Sequence, residues 1–203
     1  DKKTLGWIKK YAPKINQAAP ERIRHEIMLI LETPNAWRTL SLMDETRLLT
    51  HIFPVLERSR NLAPQYYRQG GVLGHALGAV GCFEEGIESI KQKWKKISPS
   101  IQTYVRAPMT GGFSRYSVLK LAVLLHDMAK PHTAKVIDGR LRFFGHDKRG
   151  ARLFEKIGQR LRCSNEEISL VSKIINAHLR PGNLSKQPKV TDRASYRFFR
   201  DLG

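Results

Sequence analysis

The stretch Leu121-Ala-Val-Leu-Leu-His126-Asp127-Met-Ala-Lys130-Pro131 sets an imidazole beside a carboxylate at the end of an apolar segment. Val118, Leu121, Ala122 and Leu125 recur at spacings of three and four, which places one helix face in a core. Two polar groups at a buried helix end need partners, and a divalent metal satisfies both at once. Pro131 is expected to stop this helix, because a proline pushes the preceding residue out of the α region. Three further histidines stand in similar settings. His75 lies at the edge of the stripe Val72, Ala76, Ala79, Val80 and Phe83; His146 precedes a helix with Leu153, Phe154 and Ile157; His178 shares a face with Ile168, Val171, Ile174 and Ile175. Taken singly, each is more readily a hydrogen-bonded core residue. Converging with Asp127 in a helical bundle, they would surround a divalent ion, acidify its bound water and polarise a phosphoryl oxygen. Phosphate ester hydrolysis is the chemistry such a cluster points to.

Positioning these groups takes several helices. Trp7, Ile8, Tyr11 and Ile15 make an amphipathic, lysine-studded first segment, interrupted near Pro13. Pro20 suits the first position of the next helix, with Glu21 in its first turn and Ile23, Ile27, Ile30 and Leu31 as its buried stripe. Thr33-Pro34 ends it, and Asn35 can cap a helix bearing Trp37, Leu40 and Met43. Leu48, Leu49, Ile52 and Phe53 follow before Pro54. Residues 57–71, with Pro64 and Gly70-Gly71, suggest a linker. Residues 91–116 read as a basic helix end followed by a loop. Residues 134–143 have the shape of a β-hairpin around Asp138-Gly139. Ser164-Asn-Glu-Glu167 is a capping box, and Tyr196, Phe198 and Phe199 sit in a further basic helix near the end.

The charge balance narrows the partners. Lys and Arg number 36 against 18 Asp and Glu, a net charge of +18 over 203 residues. Such a field attracts polyanions and releases counterions on binding, so nucleic acid is the expected partner. No apolar run has the length of a membrane span. Cys82 and Cys163 match no zinc spacing, and a reduced, cytoplasmic protein is the expectation. Trp94 among Lys91, Lys93, Lys95 and Lys96 can stack a base. A ring packed under lysine stems is the plainer expectation for that tryptophan.

The order His75, His126-Asp127, His146, His178 resembles the HD-domain metal-dependent phosphohydrolases, which are all-α. Finer detail resembles the bacterial tRNA nucleotidyltransferase/poly(A) polymerase family with an appended HD domain. It lies in Phe143-Phe144-Gly145-His146-Asp147-Lys148-Arg149-Gly150-Ala151, in His178-Leu179-Arg180-Pro181, and in the run from Asp192 to Asp201. Ala19-Pro20-Glu21-Arg22-Ile23-Arg24-His25-Glu26 and Thr33-Pro34-Asn35-Ala36 are similar to that family's neck helices. The resemblance implies an all-α protein with one short hairpin: a helical neck over 1–60 and an HD bundle over 61–203, cut short at its carboxyl end. It implies His75, His126 and Asp127 as metal ligands, and His146 and His178 as ligands of a second metal or of substrate phosphate. His126, Asp127 and Lys130 become the catalytic set, with Lys130 near the phosphate. Arg22 and Arg24, near the nucleotide pocket with Glu21, become nucleic-acid contacts; Lys91, Lys93, Lys95 and Lys96 are expected as further contacts from their charge around Trp94, not from the resemblance. The implied cofactor is a divalent ion (Mg, Mn, Ni or Zn), and the implied partners are RNA, tRNA in particular, and a nucleotide or phosphate ester.

Some positions depart from the family pattern. The nucleotidyltransferase head with its paired aspartates is not in this sequence, and the last HD aspartate is expected beyond its end, with Asp192 the one late carboxylate near its place. Met128-Ala129 replaces Ile-Gly after the His-Asp pair. Three functions remain open: an active HD phosphohydrolase working at RNA ends or on nucleotides; a catalytically silent RNA-binding body for a missing head; and an independent HD nucleotide hydrolase.

Overall fold

The fold is described from a computed structural model over residues 1–202, apart from the side chain of Lys91; that side chain and Gly203 lie outside the described residues. Capping residues and prolines divide the first sixty residues into short helices. Asp1 caps α1 (Lys2–Tyr11), accepting from the Thr4 amide at 2.9 Å. A 3₁₀ segment over Ala12–Gln17 leads to α2 (Pro20–Glu32), which starts on Pro20 as expected and buries Ile23, Ile27, Met28 and Leu31. Next come α3 (Ala36–Glu45) and α4 (Leu48–Ile52). Asn35 stands at the N-cap of α3 in the left-handed conformation, but its side chain makes no cap. The Ala36 amide instead donates to the Glu84 carboxylate at 2.9 Å, a tertiary cap that no local pattern reveals.

Residues 57–71 are mostly exposed. A 3₁₀ segment (Pro54–Ser59) buries Leu56 and Ser59, Ala63 is buried just before α5 (Pro64–Tyr67), and Arg60 grips both oxygens of Asp44 at 2.5 and 2.9 Å. Helix α6 (Gly71–Lys93) follows, then α7 (Ser98–Arg106). The α7 region was expected as loop. Pro99 in its first turn and the buried Ser98 and Val105 give it an anchored helix instead.

Helix α8 (Arg115–Leu125) is buried nearly all round, and α2, α6, α7 and α11 (Asn165–Ala177) all pack against it. It ends at Leu125, six residues before Pro131. Tight turns follow, and Pro131 lies in the first turn of α9 (Lys130–Thr133), where its missing N–H costs nothing. Proline therefore opens the next element here and leaves α8 to end on its own. Strands β1 (Lys135–Ile137) and β2 (Arg140–Arg142) pair antiparallel, with Val136 opposite Leu141. Positive φ at both Asp138 and Gly139 makes the tight primed turn the sequence predicts. Helix α10 (His146–Arg160) packs on α11, so closely that a Cβ on Gly158 would lie 2.7 Å from Ile168. The capping box of α11 is formed as expected from Ser164 and Glu167. Helices α12 (Leu179–Ser185) and α13 (Asp192–Leu202) complete the chain. The protein is all-α with one short hairpin. One apolar core runs unbroken from Ile23 and Leu31 in α2 through Leu121 and Leu125 in α8 to Val171 and Ile175 in α11.

Candidate metal centre

Four elements deliver histidines to one carboxylate. His75 comes from the first turn of α6, His126 and Asp127 from the end of α8, His146 from the start of α10, and His178 from the end of α11. Asp127 is almost wholly buried at their centre. On one side its Oδ2 faces His126 Nε2 at 3.1 Å and His75 Nε2 at 3.6 Å. On the other its Oδ1 faces His146 Nε2 at 3.2 Å and His178 Nε2 at 3.6 Å. Lys130 Nζ also donates to Oδ2, in a very short contact, and to the Tyr67 hydroxyl at 2.5 Å.

Three of the rings are set by the same backbone device. The Nδ1 atoms of His126, His146 and His178 lie 2.7, 2.6 and 2.7 Å from the carbonyls of Val123, Phe143 and Ile175, each three residues back. A carbonyl only accepts, so Nδ1 carries the proton and Nε2 of the neutral ring presents a lone pair. These lone pairs converge on a carboxylate, and His146 and His178 also meet Nε2 to Nε2 at 3.2 Å. Without a cation between them, acceptors face acceptors. Asp127 Oδ1 correspondingly has no hydrogen-bond donor although it is buried.

A divalent ion removes that conflict, and the ligand atoms are already close enough to hold one. His75, His126 and Asp127 form one triad and Asp127, His146 and His178 a second, the atoms of each within 4.8 Å of one another. Imidazole nitrogen with carboxylate oxygen is a donor set suited to first-row divalent metals, and carbonyl-anchored Nδ1 atoms are the usual outer support of such ligands. The two triads share Asp127, one oxygen on each side. Burial pushes the Asp127 carboxyl up, but His126, His146 and His178, which can donate to it from Nε2 only when they take up a second proton, outweigh burial and hold the group well below the usual carboxylate range. Burial, with the nearby His126, lowers His75 and favours its neutral ring.

Asp192, at the start of α13, belongs to neither triad. The expected nucleic-acid residues lie elsewhere. Arg22 is exposed on α2, Lys93 is exposed at the last residue of α6, and Lys95 and Lys96 are exposed just beyond it. Eighteen residues of helix, about 27 Å, separate Lys93 from His75. Lys91 falls outside the described residues as far as its side chain is concerned. Trp94 is 60% exposed, at the residue where the chain leaves α6. Arg24 is turned inward: its Nη2 donates to Glu167 at 2.6 Å and to the Gly111 carbonyl at 2.9 Å, and its guanidinium covers Phe113. These contacts make it a structural clamp between α2 and α11.

Sequence reasoning passed over Tyr67 and the cavity beside the centre. This cavity, of about 1050 Å³, is walled by the hairpin, the start of α10 and α5, and reaches His146 and Lys130. Tyr67 joins the two, its ring under Lys130 Nζ and 5.2 Å from the His75 ring. The alternation of Arg140 and Arg142 along a strand was a readable signal, since residues two apart share a face.

A helical bundle holding a paired His-Asp at the end of a buried helix, met by histidines from neighbouring helices, is an HD domain. The HD-domain family model matches residues 107–197. Residues 1–59 match the family described as "Probable RNA and SrmB- binding site of polymerase A". The chain is also 31% identical over 161 residues to an A-adding tRNA nucleotidyltransferase of Deinococcus radiodurans, which covers 78% of this chain and 31% of that protein. The chain belongs to the tRNA nucleotidyltransferase/poly(A) polymerase family, carrying its RNA-binding region and an HD domain. It spans about a third of the length of that relative. No helix among the described residues is long and apolar enough to cross a membrane.

Proposed function

We propose that the HD centre is a metal-dependent phosphohydrolase acting on phosphate esters at RNA ends or on nucleotides, and that residues 1–60 hold the RNA. The two His/His/Asp triads around one buried carboxylate support this most directly. His75, His126 and Asp127 would hold one divalent ion, and His146 and His178 would hold a second through Asp127 or take up a substrate phosphate. When bound, the metal supplies an acidified water and a positive charge for a phosphoryl oxygen. The chain's own groups set up the rest. The Val123, Phe143 and Ile175 carbonyls lock three imidazoles with Nε2 inward. Lys130 orients Asp127, is itself held by Tyr67, and keeps one of its three protons free for a phosphate oxygen on the cavity side.

The metal is of the group Mg, Mn, Ni or Zn, and the RNA partner is tRNA or a similar transcript met in the cytoplasm. The match of residues 1–59 to an RNA-binding region supports the RNA half of the proposal, as does the net charge of +18. In the whole protein a nucleotidyltransferase head would precede this chain, as the A-adding relative suggests. The test is metal content together with release of phosphate from RNA 3′-phosphates, 2′,3′-cyclic ends and free nucleotides, for the parent and for His126→Ala and Asp127→Ala. Metal-dependent turnover lost in both variants supports the hydrolase. A second reading, an RNA-binding body with a silent HD centre, draws on the same basic surface. It prevails if the purified protein carries no metal and releases no phosphate while RNA affinity is unchanged in both variants.

A further inference from the structure

The cavity beside the HD centre carries more cation and more aromatic surface than a mononucleotide would use. Arg140 and Arg142 stand on one face of β2, and Lys148 and Lys186 line the cavity from α10 and the end of α12. No ion pair or side-chain hydrogen bond engages any of the four among the described residues. Asp147 is the only acid among the described residues of the lining. Two aromatic rings also face the cavity with little cover: Phe144 is 73% exposed and Tyr66 is 55% exposed. Unpaired cations tracking a backbone, with open rings beside them, are what single-stranded nucleic acid requires: phosphates meet charge and successive bases stack. The volume, about 1050 Å³, lies at the top of the range of roughly 300–1000 Å³ that small ligands occupy.

The placement of Phe144 ties this surface to the metal centre. Its neighbour Phe143 gives the carbonyl that fixes the His146 ring, and Gly145, at φ 77°, turns the chain into α10. A base seated on Phe144 would thus lie one short turn from a ligand of the second triad.

We propose that this cavity is a single-strand subsite: it binds the nucleotides that precede the reacting end of an RNA, with one base on Phe144, a second on Tyr66, and Arg140 and Arg142 on the intervening phosphates. The HD centre accordingly takes a polynucleotide end in preference to a free mononucleotide. The direction of the strand rests on the hydrolytic reading above; the binding itself does not.

The test uses the full chain and a 5′-labelled oligoadenylate of four nucleotides, followed by fluorescence anisotropy with AMP as competitor. The oligomer is expected to bind at least roughly tenfold tighter than AMP competes. Phe144→Ala should weaken the oligomer about tenfold and Phe144→Trp should restore it. Arg140→Ala/Arg142→Ala should lower the magnitude of the log–log salt slope by about 1.4, the share of two phosphate contacts on a single strand. Because the whole chain is basic, a 4-thiouridine oligomer should also photocrosslink within residues 140–148. AMP competing as well as the oligomer would overturn the subsite. So would affinities within twofold of the parent in both Phe144→Ala and the double arginine variant, or crosslinks confined to α1, α2 or the Trp94 segment. The two proposals fail separately: a chain without metal or phosphate release can still show these binding outcomes, and loss of Phe144 dependence leaves hydrolysis of a small chromogenic phosphodiester standing.

Discussion

Arg24 of α2 and Glu167 of α11 meet at 2.6 Å across 143 residues of sequence, with side chains 14% and 2% exposed. The pair joins the RNA-binding region to the HD bundle, and Gly111 lies against it: a Cβ there would come within 2.1 Å of Arg24 and 2.2 Å of Glu167. Glu167 also closes the capping box of α11. One carboxylate thus serves a helix end and a long-range clamp.

Removing one partner of a buried pair leaves the other charge stranded, which costs about 3–5 kcal/mol. Arg24→Ala is expected near the lower end of that range, since Ser164 still donates to Glu167. Gly111→Ala should destabilise through the same contact. Urea unfolding of each variant reads the loss as a lower midpoint with unchanged slope. A midpoint unaltered in Arg24→Ala would show that the clamp carries no stability.

Lys120 and Glu84 form a second buried pair, at 2.7 Å, with Lys120 fully enclosed and also donating to the Thr33 carbonyl. Lys120→Met strands Glu84 and is expected to cost about 3–5 kcal/mol. The double variant Lys120→Met/Glu84→Gln should recover most of it, because the amide oxygen can still accept from Ala36. A double-mutant cycle by denaturation measures the coupling.

Metal content should follow the sharing of Asp127. Asp127→Ala removes an oxygen from both triads and is expected to abolish bound divalent metal, whereas His178→Ala spares His75, His126 and Asp127 and should retain part of it. Elemental analysis after gel filtration decides this without an activity assay. Chelation should also lower thermal stability, since a ligand present at a hundred times its Kd contributes about 2.7 kcal/mol.

Glu57 gives a pH signature away from the centre. Its hydrogen bond to Arg60, above all, lowers its carboxyl from 4.5 to about 2, against a smaller opposing effect of burial. A carboxylate held below its unfolded value stabilises the fold at pH above about 4.5, and that stability is lost as the pH falls through about 2. The melting temperature of Glu57→Gln should therefore lie below the parent's at pH 6 and converge with it near pH 2. The side chain is nearly half exposed, so the gap is small and shrinks with salt. A gap that widens toward acid would contradict the pairing.

Local patterns made much of the molecule legible. Pro20, the Asp138-Gly139 turn and the Ser164–Glu167 box act within a few residues and sit where the sequence puts them. The four histidines do come together around Asp127, although only His178 read as inward-facing from its stripe and His75, at the edge of its own, stays 41% exposed. What stayed hidden depends on distant partners. Lys120 lies between leucines, where a lysine reads as an outward residue, and only Glu84, 36 positions away, explains its burial. Arg24 reads as an RNA-facing cation until Glu167 is brought beside it. Residues 98–106 read as loop from their Ser and Pro content, yet Val105 docking on its neighbours is enough to hold a helix. Packing, which no short window records, decided each of these.

The unbroken core from α2 to α11 works like a fixed ruler. A transcript gripped at the amino-terminal helices would meet the hairpin cavity at one set distance, so the length of strand spanning the two would be counted by the protein's own rigidity and not by the reach of a tether.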